Sequence, residues 1–122
     1  MKMEKKSVST IPLSMRGKKR YVLFTLRVEG LSFIPKDTFT RALHKHFLHC
    51  FGVLGLPMHR IKLIVFDPKQ GKGIVRCAHT SKDSVIAALT LFHEWEGKKA
   101  ILRTHQTSGT LKTLRPGFYL GE

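Results

Sequence analysis

The sequence predicts an α+β sandwich, and three observations predict it. Two stretches have the apolar spacing of amphipathic helices, four have the alternation of half-buried strands, and their order is strand, helix, strand, strand, helix, strand. Such an order folds into an antiparallel sheet with both helices packed on one face. A short helix is expected to follow the last strand.

The elements can be justified in turn. Residues 21–28 alternate Val22, Phe24, Leu26 and Val28 with Tyr21, Leu23, Thr25 and Arg27, so the first set faces the core. Over residues 36–52, Phe39, Leu43, Phe47, Cys50 and Phe51 recur at helical spacing, Asp37 suits the first turn, and Gly52 or Gly55 the end. The polar side of this helix is basic, with Arg41, His44, Lys45, His46 and His49. His46 and His49 stand three apart, but no third ligand is close in sequence, so no metal site is expected. Residues 55–57 turn the chain into a strand over 59–66, where Ile61, Leu63 and Val65 alternate with Lys62, Ile64 and Phe66.

Asp67, Pro68 and Gly71 then mark a turn into a hairpin partner, residues 73–77. That strand sends Val75 and Cys77 to one face and Ile74 and Arg76 to the other. Thr80 to Asp83 has the form of a capping box, opening a helix that carries Val85, Leu89, Phe92 and Trp95 or Glu96 and stops at Gly97. In the last strand, residues 98–104, Ala100 and Leu102 face inward while Ile101 and Arg103 face outward. Ser108 or a neighbouring threonine would cap a short basic helix containing Leu111, Lys112, Leu114 and Arg115, ended by Pro116 and Gly117. The whole is the split β-α-β arrangement of the ferredoxin-like and RRM-like folds, an antiparallel sheet with helices on one face.

Domain organisation follows. Residues 1–17 are a basic arm without a periodic apolar face, 18–106 the sandwich, and 107–122 the short basic helix and tail. The 122 residues hold 22 Lys and Arg against 8 Asp and Glu, a formal charge of +14. That excess calls for a polyanionic partner. No apolar run approaches the roughly 20 residues of a spanning helix, and no signal-peptide region opens the chain, so no membrane role and a cytoplasmic location are expected. Cys50 and Cys77 fall at apolar-patterned positions and read as reduced core residues.

Arg27, Arg76 and Arg103 come to one open sheet face in this reading, with Arg27 and Arg76 as neighbours on the two central strands. Taken singly, each is an ordinary solvated charge; their coincidence favours an anion. Lys72 to His79 begins like the third strand of an RNA-recognition motif but lacks its aromatics, so contacts to phosphate and sugar are expected rather than base stacking. No paired carboxylates and no Ser-His-Asp order mark a protein active site. Two alternatives stand beside this: a ribosomal or other general binder of structured RNA, and an acylphosphatase-like enzyme, for which Glu29-Gly30-Leu31-Ser32 is a poor anion cradle.

Four pieces of sequence, taken in order and spacing, resemble the archaeal ribonuclease P protein component 2 family. They are Lys18-Lys19-Arg20-Tyr21 into the first strand, Gly73 to Cys77 in the third, Gly97-Lys98-Lys99 before the fourth, and Arg103-Thr104 followed by Ser108-Gly109-Thr110. That family includes a small eukaryotic subunit shared by ribonucleases P and MRP. The resemblance covers residues 16–115, with a departure at His105-Gln106-Thr107. It implies a non-catalytic subunit of the ribonucleoprotein that removes the 5′ leader from precursor tRNA, the active site and its Mg²⁺ belonging to the RNA. The implied partners are ribonuclease P RNA, precursor tRNA through the complex, and the TIM-barrel-like protein subunit; self-association is left open. No cofactor is expected on the protein. The RNA-binding candidates are Lys18, Lys19, Arg20, Tyr21, Arg27, Arg76, Arg103, Thr104, Ser108, Gly109, Thr110, Lys112 and Arg115.

Overall fold

The computed structural model describes residues 18–114; the predicted arm over 1–17, the tail from 115 and Arg115 lie outside them. The elements are β1 (Lys19–Val28), α1 (Lys36–His59), β2 (Lys62–Asp67), β3 (Lys72–Ala78), a 3-10 turn (His79–Ser81), α2 (Lys82–Thr90), β4 (Glu94–Trp95) and β5 (Lys98–Ser108). A helical turn over residues 111–114 follows. The strand order is β2-β3-β1-β5-β4, antiparallel throughout.

The alternation in β1 puts Val22, Phe24, Leu26 and Val28 beneath the two helices, with Val75 and Cys77 from β3 and Ala100 and Leu102 from β5. Phe39, Leu43 and Phe47 of α1 and Val85, Ala88 and Leu89 of α2 close this layer. Its centre is aromatic. Phe39 and Phe66 stack with centroids 4.6 Å apart, Phe24 lies 6.0 Å from Phe39, and Phe92 meets Phe39 edge-on at 6.0 Å. Truncating one such ring to alanine typically costs about 3–5 kcal/mol. Gly73 sits opposite Phe24 across the sheet because a Cβ there would lie 2.5 Å from the Phe24 ring.

The structure differs from the sequence expectations at five places, each with a local cause. The first helix does not stop at Gly52: that residue breaks helical geometry with φ 80°, ψ 169°, and the chain resumes helix through Pro57 to His59. The expected 55–57 turn is therefore helical. The second helix ends at Thr90, not Gly97, and the Glu96-Gly97 pair, both at positive φ, turns the chain between Glu94-Trp95 and Lys98-Lys99. Positive φ at both central residues is the mark of a tight hairpin turn. No side chain caps α2; Ser81 is its N-cap residue, and its hydroxyl instead meets His59 Nδ1 at 2.7 Å. In β2 the register shifts between Leu63 and Val65, so Phe66 joins the main core while Val65 turns to the opposite face. Cys50 is exposed, whereas Cys77 is buried as expected.

The second sheet face is also not open in its middle. Leu114 of the last helical turn packs with Leu23 and Ile74, flanked by Tyr21, Val65 and Leu111, in a small second core. The sheet is thus covered on one face by two helices and on part of the other by a single turn.

Candidate nucleic-acid interface

Cross-strand register decides which basic residues meet. Tyr21 of β1 pairs with Arg76 of β3 on one side and Ser108 of β5 on the other, and Arg76 pairs in turn with Lys62 of β2. Directly opposite residues share a face, so Lys62, Arg76, Tyr21 and Ser108 form one row across four strands, on the face that carries the second core. Arg20, one residue before Tyr21, donates from Nη1 to the Lys19 carbonyl at 3.0 Å, and this nitrogen lies 3.3 Å from where a Cβ on Gly109 would be. Lys18 and Lys19 enter the sheet at the same end, Lys19 opposite Ala78. Thr110 donates its N–H to Ser108 Oγ at 3.1 Å, and its hydroxyl meets that of Thr113 at 2.8 Å, fixing the entry to the last helical turn. Lys112 is exposed on that turn.

The remaining candidates go elsewhere. Arg27 pairs with Ile101 and Arg103 with Thr25, so these two are diagonal neighbours at the far end of the sheet. Arg27 lies six residues along β1 from Tyr21, about 20 Å from the Arg76 row at a strand's rise. The expectation that Arg27 and Arg76 adjoin is therefore corrected: they share a face but not a place. Thr104 pairs with the core residue Phe24 and is half-buried. His105 is the extra residue of a bulge between the Leu23 and Phe24 pairings, its Nε2 2.8 Å from the Thr25 hydroxyl. The departure at 105–107 is thus accommodated by a bulge that re-aims the end of β5. Lys62 was missed because a register set by the bulge in β2 cannot be read from alternation alone.

Among the described residues no carboxylate pairs with Lys18, Lys19, Arg20, Lys62 or Arg76 at the near end. Arg76 is half-buried, and its Nε is shut off from solvent with no hydrogen-bond partner. A carboxylate ion pair joins Lys82 and Asp83, at the start of α2. Burial pushes the Cys77 thiol up to about 11, the nearby Arg20 guanidinium pulling weakly the other way. Of the first-helix histidines, His46 serves packing, donating Nε2–H to the Ala88 carbonyl at 2.7 Å and standing edge-on to Phe92, while His44 and His49 are exposed. Arg27 borders a cleft of about 320 Å³ with Ser32, Lys69 and Gln70. There the N–H groups of Glu29, Leu31 and Ile34 already bond the carbonyls of Lys99, Val28 and Pro68, so these donors cannot cradle an acyl phosphate.

A sandwich of this order with one basic end lacking paired carboxylates has the build of a small polyanion-binding protein. The sequence profile of the Rpp14/Pop5 family matches residues 20–117, and the chain belongs to that family. It is 34% identical over 113 residues to ribonuclease P protein component 2 of Pyrococcus horikoshii, covering 93% of this chain and 92% of that protein. It is 38% identical over 108 residues to the protein of the same name from Thermococcus gammatolerans, covering 88% of each. A chain in the cryo-EM structure of yeast ribonuclease MRP shares the fold, with a TM-score of 0.63 at 14% identity over 77% of this chain and 76% of that one.

Proposed function

We propose that this chain is the RNA-binding protein component of a ribonuclease P ribonucleoprotein, holding RNA backbone at the basic end of its sheet. The observation that carries the reading is the half-buried, unpaired guanidinium of Arg76 opposite Lys62, with Lys18, Lys19 and Arg20 at the same end of the sheet, in a chain matched along nearly its whole length by ribonuclease P components. The catalytic centre and its Mg²⁺ belong to the RNA. The protein's cations offset phosphate repulsion where RNA strands crowd, which free Mg²⁺ must otherwise do. Precursor tRNA is met through the complex.

A protein partner, the TIM-barrel-like subunit of the same enzyme, docks on apolar surface. The second segment of α1 supplies such a surface: Val53, Leu54 and Met58 are 75, 88 and 74% exposed. Reconstitution tests both statements. The chain alone should leave precursor tRNA intact, whereas chain plus partner added to the ribonuclease P RNA should raise cleavage and lower the Mg²⁺ required. Cleavage without RNA, or an unchanged Mg²⁺ optimum, would overturn the reading.

A further inference from the structure

Among the described residues the half-buried Arg76 has no carboxylate partner. Its stem runs from a strand whose next residue on that face, Ile74, is sealed beneath Leu114. Its Nε–H is buried without an acceptor. An unmet donor on a charged group is costly in a protein interior, so the free chain holds this guanidinium at a penalty that an anion bonded to its outer Nη groups would offset. Lys62 stands directly across β3 from β2, about 5 Å away between Cα atoms as in any antiparallel pair. On the other side Tyr21 and Ser108 continue the row, adding two hydroxyls and no negative charge.

Resting on the RNA-binding reading, we propose that Lys62, Arg76, Tyr21 and Ser108, one residue from each of four adjacent strands, form a single phosphate-binding row that grips one stretch of RNA backbone, with Arg76 as its anchor. The planar guanidinium presents parallel donors to a phosphate, Lys62 adds a point charge to the same group, and the hydroxyls bond its oxygens or a neighbouring ribose. The covering of Leu23 and Ile74 by the last helical turn gives the row its chemistry. Apart from the half-buried Tyr21, the middle of this face offers bases no ring on which to stack, so the contact reads chiefly backbone. Lys62 is the residue this assigns beyond those expected from the sequence.

The test measures affinity of the full chain for its cognate ribonuclease P RNA transcript, together with thermal midpoints of the free proteins. Arg76→Met keeps the apolar stem and removes the fork; affinity should fall at least roughly tenfold, the scale of a charge-assisted hydrogen bond, while the midpoint stays level or rises. Lys62→Ala, at an exposed position on an edge strand, should weaken binding several-fold. The double variant should lose less than the product of the single losses, because both side chains serve one site. Lys69→Ala, which removes one charge from the hairpin turn, is the control and should change affinity less than twofold. A midpoint lowered in Arg76→Met would make the guanidinium a structural ion and overturn the proposal. So would losses no larger than the control's, or losses that multiply. If the wild-type chain does not bind the transcript, the proposed function itself fails; if it binds and both substitutions are silent, the row alone fails.

Discussion

Two cysteines separate by environment alone. Cys50 is exposed near the kink of α1, and Cys77 is buried on β3 beneath the helices. Thiolate is the reactive form, and burial raises the Cys77 thiol from 9.0 to about 11. A folded sample at pH 8 should therefore take up one equivalent of a thiol reagent, at Cys50, and a second only after denaturation. Rapid modification of both in the folded protein would contradict the buried placement of Cys77. The sign for stability follows: with the folded value above the unfolded one, the group's contribution is intact below pH 9 and is lost as pH rises toward about 11. Residue-scale reading of the sequence placed Cys77 correctly, since it alternates with Val75. It misplaced Cys50, whose helical spacing from Phe47 looks equally apolar, because rotation at Gly52 and the position of α2 decide which flank is covered.

At the scale of elements, the sheet depends on small irregularities. Gly73 permits Phe24 to lie across β3, with Phe66 beside it at 3.1 Å from the same missing Cβ. Both rings are packed in the core, so Gly73→Ala should cost about 1–3 kcal/mol by overpacking. For a domain of this size that lowers the thermal midpoint by roughly 4–8 °C per kcal/mol; an unchanged midpoint would mean that the aromatic layer can shift without penalty. Strands, their core faces and their order were legible because alternation is a direct imprint of burial on sequence. The bulges at Ile64 and His105 were not, since one added residue leaves the composition of a strand untouched while reversing the face of everything beyond it. The β4 hairpin was hidden for a related reason: Glu96-Gly97 after an apolar run is equally good punctuation for a helix end. The last helical turn, with only Leu111 and Leu114 as anchors, is too short to show a period; it was legible instead from the hydroxyls and glycine before Leu111 and the Pro116-Gly117 stop.

For the whole molecule, a formal charge of +14, with Lys18, Lys19, Arg20, Lys62 and Arg76 grouped at one end of the sheet, predicts binding governed by released counterions. With Lys18, Lys19, Arg20, Lys62 and Arg76 each engaging a phosphate, log affinity should fall with log salt at a slope of about −4, from roughly 0.7–0.9 per phosphate. Titrations between low and physiological salt check this, and a flat dependence would remove phosphate contact as the source of affinity. The basic character, and with it a polyanionic partner, was plain in composition. Where on the fold the charges meet was not, because Arg27 and Arg76 share a face yet stand six residues apart along β1, a separation that only register reveals.

The pairing of Tyr21 with Ser108 also bears on how the chain is made. β1 leaves the ribosome first, yet its neighbour β5 comes last, and the two pair along most of their length. Until residue 108 is clear of the exit tunnel, β1 has one flank unpaired, and until Leu114 follows, the second core has no lid. Such long-range closure makes for slow folding and an exposed strand edge during synthesis. The strong positive charge of the chain has a second use in that condition, since mutual repulsion holds unfinished copies apart while the edge is open.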